Sequence, residues 1–123
     1  EALASARVKS APVTLFQGES SVRLSDTAFD ARPYNAVSFE LYPLGAGASV
    51  SVSIEGAPGM GSDSLPLTDP QAVQGNIGSP KLFDVIVGSQ WIRARITALT
   101  GTVTLVATGY LSPGPVALIG TVT

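Results

Sequence analysis

A chain of 123 residues, 45% hydrophobic and only 13% charged, has room for one two-layer core and not for two. Seven basic residues against nine acidic ones leave a net charge of −2, which argues against the basic face that nucleic-acid binding needs. With no Cys and no His there is no disulfide framework, no thiolate metal centre and no imidazole base. No apolar run is long enough to span a bilayer as a helix, no signal peptide is visible, and the start at Glu1 reads as a processed or trimmed end.

Residues 1–12 read as an N-terminal arm. Glu1 near its start and Lys9 near its end suit the dipole of a two-turn helix, but so short a helix is marginal in water. A short apolar run, 13–16, is closed by Gly18. The next run, 21–25, is expected to turn Val22 and Leu24 inward and Arg23 outward, and 26–33 is a polar loop ending in Pro33. Residues 35–42 alternate cleanly, with Val37, Phe39 and Leu41 against Ser38, Glu40 and Tyr42, the period-two signature of a strand with one wet face. Residues 43–47, rich in Gly, read as a connection to 48–55, where Val50, Val52 and Ile54 oppose Ser49, Ser51, Ser53 and Glu55.

The stretch 56–80 holds four prolines and five glycines and reads as one long loop, pinned to the body by Leu65, Leu67 and Val73. Within it Asp69-Pro70-Gln71 has the form of a capped single helical turn. Residues 81–87 form a strand with Phe83, Val85 and Val87 inward and Leu82, Asp84 and Ile86 outward. Gly88-Ser89 links this strand tightly to residues 90–99, expected as the adjacent strand, with Ile92, Ala94, Ile96 and Ala98 opposing Trp91, Arg93, Arg95 and Thr97. Thr100-Gly101 then reads as a hairpin turn into 102–108. Pro113 and Pro115 cannot continue a ladder, so the apolar run 116–122 is displaced, either returning as the last strand or adding to another subunit's edge. About eight short strands without a long helix predict an all-β, antiparallel sandwich of jelly-roll-like form over 13–111, with arms at 1–12 and 112–123.

The residues of this central region also carry a family resemblance. Asp84 between hydrophobic residues, Gly88, then Trp91-Ile92-Arg93-Ala94-Arg95-Ile96-Thr97-Ala98 and Thr100-Gly101-Thr102-Val103-Thr104 stand in a telling order. Preceded by a serine-lined strand that exits through Ile54-Glu55-Gly56-Ala57-Pro58, they resemble a small β-sandwich domain of tailed-bacteriophage virion structural proteins, over roughly 35–110. The family's Asp-Gly-x-x-Trp element is absent, and Gly59-Met60-Gly61-Ser62-Asp63 stands in its place. The resemblance implies a non-enzymatic structural role. The small size favours a head decoration (cement) protein on the outer capsid surface, a homo-oligomer, possibly a trimer, that grips a major capsid or other virion protein. A tail, baseplate or fibre-attachment component of the same virion is the nearest alternative.

Candidate chemistry is sparse. Without His or Cys, a Ser or Thr nucleophile has only Lys9, Lys81 or a carboxylate to activate it, and neither lysine lies in a Ser-x-x-Lys pattern. Glu40 and Glu55 are formally a glycosidase pair but read more simply as solvated strand charges. The glycines of 56–61 lack the Gly-Lys-Ser/Thr ending of a phosphate loop. Asp63 with Asp69, and Asp26 with Asp30, have oxygens that calcium accepts but at too low a density for a calcium loop. No catalytic residue, cofactor or metal is therefore expected.

Trp91, Arg93 and Arg95 form an outward stripe. Trp and Arg are the residues of interface hot spots; equally, the arginines can pair with Asp84 and Glu40 while lying over the indole ring. A carbohydrate-binding module would need Trp91, Tyr34, Tyr42 and Tyr110 on one face. The expected interface residues are Leu3 and Val8 in the leading arm, Trp91 and Arg93 on the sheet, and Val116, Leu118 and Ile119 in the tail.

Overall fold

The structure, a computed structural model, describes residues 8–32, 34–61, 63–67, 70–87 and 89–111. It is all-β and antiparallel: β1 (Val8–Lys9), β2 (Val13–Glu19), β3 (Phe29–Asp30), β4 (Ala36–Ala57), β5 (Leu65–Pro66), β6 (Val73–Ile77), β7 (Lys81–Ile86) and β8 (Trp91–Leu111), all in one continuous sheet. A 3-10 turn, Pro70–Ala72, precedes β6 where the sequence predicts a helical turn.

Two strands dominate. β4 has 22 residues and β8 has 21. Laid straight, each would span roughly 70 Å at about 3.3 Å per residue, twice the roughly 35 Å diameter of a compact domain of this size. They bend instead, and at the same level. The β4–β8 ladder runs from Ala36↔Tyr110 to Leu44↔Thr102, breaks, and resumes from Ser49↔Thr100 to Ala57↔Trp91. The break is built from Gly45, Gly47 and Gly101, all at positive φ (114°, 65° and 85°). Past this corner the sheet turns over on itself, making the two layers of a sandwich.

The first layer holds β2 and β1, the 102–111 half of β8, the 36–44 half of β4, and β7. The second holds β3, the 91–100 half of β8, the 49–57 half of β4, then β6 and β5. Phe39, Leu41, Val85 and Leu105 from the first layer and Val52, Ile54, Ile92 and Ile96 from the second belong to one buried cluster. Phe39 stacks on Phe83 with ring centroids 5.3 Å apart.

Several local irregularities have physical causes. A register shift in β2 between Thr14 and Phe16 lets the consecutive residues Leu15 and Phe16 both turn inward. Asn76, at φ 55°, takes the left-handed conformation that Asn tolerates best after Gly. It sits at the bulge where β6 shifts register on β4, and its N–H is held by Ser51 Oγ at 3.0 Å. Pro43 is tolerated inside β4 because odd-numbered residues there face β7, and that pairing ends one step earlier at Leu41↔Lys81.

Five expectations are corrected. Thr100-Gly101 is not a hairpin turn and 43–47 is not a connection, since both are corners inside continuous strands. Residues 81–87 do not pair with the strand that follows; β7 lies against β4 in the first layer, and the short link after it crosses to the second. The run 21–25 reduces to a single bridge, Leu24↔Arg95, with Val22 turned to solvent. The span 56–80 carries β5, the turn and β6. Of its expected anchors only Leu67 packs on the core, because Leu65 and Val73 are exposed.

Candidate interaction surface

The predicted surface residues divide between the two layers. Trp91 and Arg93 project from the outer face of the second layer. Val8 belongs to β1 at one edge of the first, paired with Leu111. Leu3, Val116, Leu118 and Ile119 lie outside the described residues. What the described residues do show is that the chain enters and leaves the body side by side, at Val8↔Leu111.

The Trp91 face is largely committed to internal contacts. With the Gln90 amide oriented so that its oxygen meets its donors, that oxygen accepts from Trp91 Nε1 at 3.0 Å and from Arg32 Nη2 at 3.1 Å. Arg32 in turn donates to Asp30, on the strand beside Trp91, and this holds the Asp30 carboxyl below its usual range. Arg93 donates to the Met60 carbonyl, while its buried Nε has no hydrogen-bond partner among the described residues. Arg95 grips Glu55, Nε to Oε2 at 2.9 Å and Nη2 to Oε1 at 3.3 Å, and Ser64 donates to the same carboxylate. The hydrogen bond and charge of Glu55 raise the Arg95 pKa further. The segment around Met60 and Ser64 is thus tied down over this face.

These contacts correct the expected pairing of the arginines with Asp84 and Glu40. Asp84 instead accepts from Ser38, and Glu40 from the Tyr42 hydroxyl, whose pKa rises in consequence. Glu40 and Glu55 are on different layers and cannot act as a pair. The four aromatics of a sugar platform do not share a face either: Tyr34 packs toward the core beside Phe29, and Tyr42 and Tyr110 belong to the first layer. Asp26 is engaged by Arg23, and among the described residues no three His, Cys, Asp or Glu converge as a metal site.

The outer face of the first layer is more open. Cross-strand rows run Ile86–Ala36–Tyr110, Asp84–Ser38–Thr108 and Leu82–Glu40–Val106. A shallow trough of about 390 Å3 lies among Ser38, Glu40, Tyr42, Leu82, Thr108 and Tyr110. Beside it Leu82 and Ile86 are exposed large apolar residues, at 68% and 74%. The sequence placed both on the wet face of β7 without weighing what they imply. An apolar outer face on a strand that is also apolar within was the available signal.

No protein-family model matches the chain, and neither does any curated protein. Among solved structures, the fold is similar to that in "Crystal structure of SPBc2 prophage-derived protein YomS", at a TM-score of 0.68 and 14% identity, covering 85% of this chain and 94% of that one.

Proposed function

We propose that the chain is a non-enzymatic structural protein of a tailed-phage virion, most specifically a head decoration protein that stabilises the capsid through contacts between subunits. The observation that carries this reading is the fold shared with a prophage-derived protein over nearly the whole of both chains. The surface supports it. On the second layer Trp91 and Arg95 are engaged in internal hydrogen bonds, whereas Leu82 and Ile86 are presented to solvent along a sheet edge of the first. A rigid sandwich of this kind acts by geometry, burying apolar area across a joint. Interfaces of about 1,600 Å2 already give stable contacts, and a shell repeats each contact many times.

The test is fractionation of induced cells on a density gradient, followed by gold labelling with an antibody to this chain. A decoration protein should band with intact particles and label the heads. Label confined to tails would move the protein to the tail or baseplate, and a chain that stays at the top of the gradient would overturn a virion role. A carbohydrate module is disfavoured by the internal hydrogen bond of Trp91 Nε1 and by the separation of the four aromatics.

A further inference from the structure

The backbone of the first layer is unclosed on one side. Ser10 N–H donates to the Gly109 carbonyl at 2.9 Å, and Gly109 N–H to Ser10 Oγ at 2.9 Å, so Gly109 faces β1. Antiparallel ladders alternate, so Thr108 and Tyr110 face Ser38 and Ala36 of β4. Val37, Phe39 and Leu41 then face Val85, Phe83 and Lys81 of β7. The Val87 N–H bond to the Asn35 carbonyl at 3.3 Å has the same parity. Leu82, Asp84 and Ile86 are left with backbone N–H and C=O groups turned away from β4, and β4 is the only strand that β7 pairs with among the described residues. An edge that is open, six residues long and flanked by two exposed aliphatic side chains is a template for another strand.

We propose that this edge takes the tail strand, residues 116–122, of a second copy of the chain. The segment has the matching length, and its direction follows from where it leaves. β8 ends at Leu111 beside the Ile86 end of β7, so a strand returning from there runs antiparallel to β7, like every other pair in the sheet. In that pairing Ile119 would stand opposite Asp84 and Thr121 opposite Leu82, with Leu118 on the Val85 side.

The hinge decides between the chain's own tail and another's. Reaching the far side of β7 from β8 crosses three strand spacings, about 14 Å. Five residue steps separate Leu111 from Val116, a reach of about 15.5 Å at about 3.1 Å per residue for a proline-rich chain. That leaves no slack to pass around the Asn35 end of β4, and short taut hinges favour strand exchange over self-closure. The proposal deepens the structural reading above by naming a second copy as partner, and it fails separately from that reading. Particle association without tail exchange would remove only this proposal, and exchange without particle association only the virion role.

Because the chain has no Cys, two full-length variants, Leu82→Cys and Thr121→Cys, report the contact directly. Mixed under mild oxidant, they should cross-link to each other at least ten-fold faster than either does to itself. The unmodified chain should sediment at two or more times the monomer mass. Leu82→Pro, which removes an outward N–H that β4 does not use, should return it to monomer with an unchanged β circular-dichroism spectrum. A full-length chain that sediments as a monomer overturns the proposal. So does a doubly substituted Leu82→Cys/Thr121→Cys chain whose disulfide closes within one molecule.

Discussion

Replacing Gly101 by Ala tests the corner on which the two-layer arrangement depends. Gly101 has φ +85°, and a Cβ built there would lie 2.6 Å from the Leu44 carbonyl oxygen and 3.2 Å from Ala48 Cβ. The first contact is with backbone, which cannot rotate away. Two controls separate the contributions. Gly61 has open space around it and no positive φ, so Gly61→Ala should change stability by less than about 0.5 kcal/mol. Gly18 has φ +57° and also open space, so Gly18→Ala isolates the conformational cost, about 1–2 kcal/mol for a non-glycine residue on the left-handed side. Gly101→Ala adds to that cost the displacement of the Leu44 carbonyl, and should reach about 3–4 kcal/mol. At about 4 °C per kcal/mol for a domain of this size, the three variants should melt roughly 0–2, 4–8 and 12–16 °C below the parent. Urea unfolding with unchanged m-value confirms that the native state alone is affected. If Gly101→Ala costs no more than Gly18→Ala, the corner is not the tight joint described, and the shared bend of β4 and β8 has another origin.

Substitutions at three further sites and one titration probe the rest of the molecule. Ile96→Ala, in the fully buried centre of the cluster, should cost about 2–5 kcal/mol in urea unfolding. Glu55→Ala removes the acceptor shared by Arg95 and Ser64 and should cost about 1–3 kcal/mol, with faster proteolysis near Met60 as its local signature. Asn76→Gly should be neutral or stabilising, whereas Asn76→Val, β-branched at positive φ, should lose about 1–2 kcal/mol by the same measurement. Hydrogen bonds from Ser21 hold the Glu19 carboxyl, and those from Arg32 the Asp30 carboxyl, below their usual values. Their contribution is therefore fully present above the unfolded carboxylate range and fades as pH falls through the lowered native values. The melting temperature should drop below about pH 4, less steeply in Asp30→Asn, and added salt should shrink the difference because both groups are only partly buried.

The alternation of single residues was legible in the sequence; the joining of strands was not. Val37, Phe39, Leu41, Val50, Val52, Ile54, Phe83, Val85, Ile92, Ala94 and Ile96 all point inward as their period predicts, because burial on one face is a local property of a strand. A glycine-containing break in that alternation is ambiguous, since hairpins and corners interrupt the pattern alike. What distinguishes them is that the break in β4 at 45–48 and the break in β8 at Gly101 fall at one level of the ladder, a fact about pairing that neither stretch contains alone. Trp91, Arg93 and Arg95 lie on an outer face as their period predicts, but their partners come from Gln90, Met60 and Glu55. Two of these lie more than thirty residues away, beyond the reach of strand periodicity.

The continuity of β4 and β8 also bears on what the fold can withstand. In a sandwich joined only by loops, force applied to one layer reaches the other through side-chain packing. Here the same two strands cross both layers, with nine register pairs on each side of the corner. A load drawn out through Leu111 runs along β8, parallel to that strand, and meets the β4 ladder in shear, where many bonds must yield together. The opposite chain end enters beside it, Val8 against Leu111, so a pull between the two ends acts on a single edge of the first layer and leaves the core between the layers intact. The arrangement suits the tail contact proposed above, because β8, which leads into the tail, is paired along both halves of its length within the body.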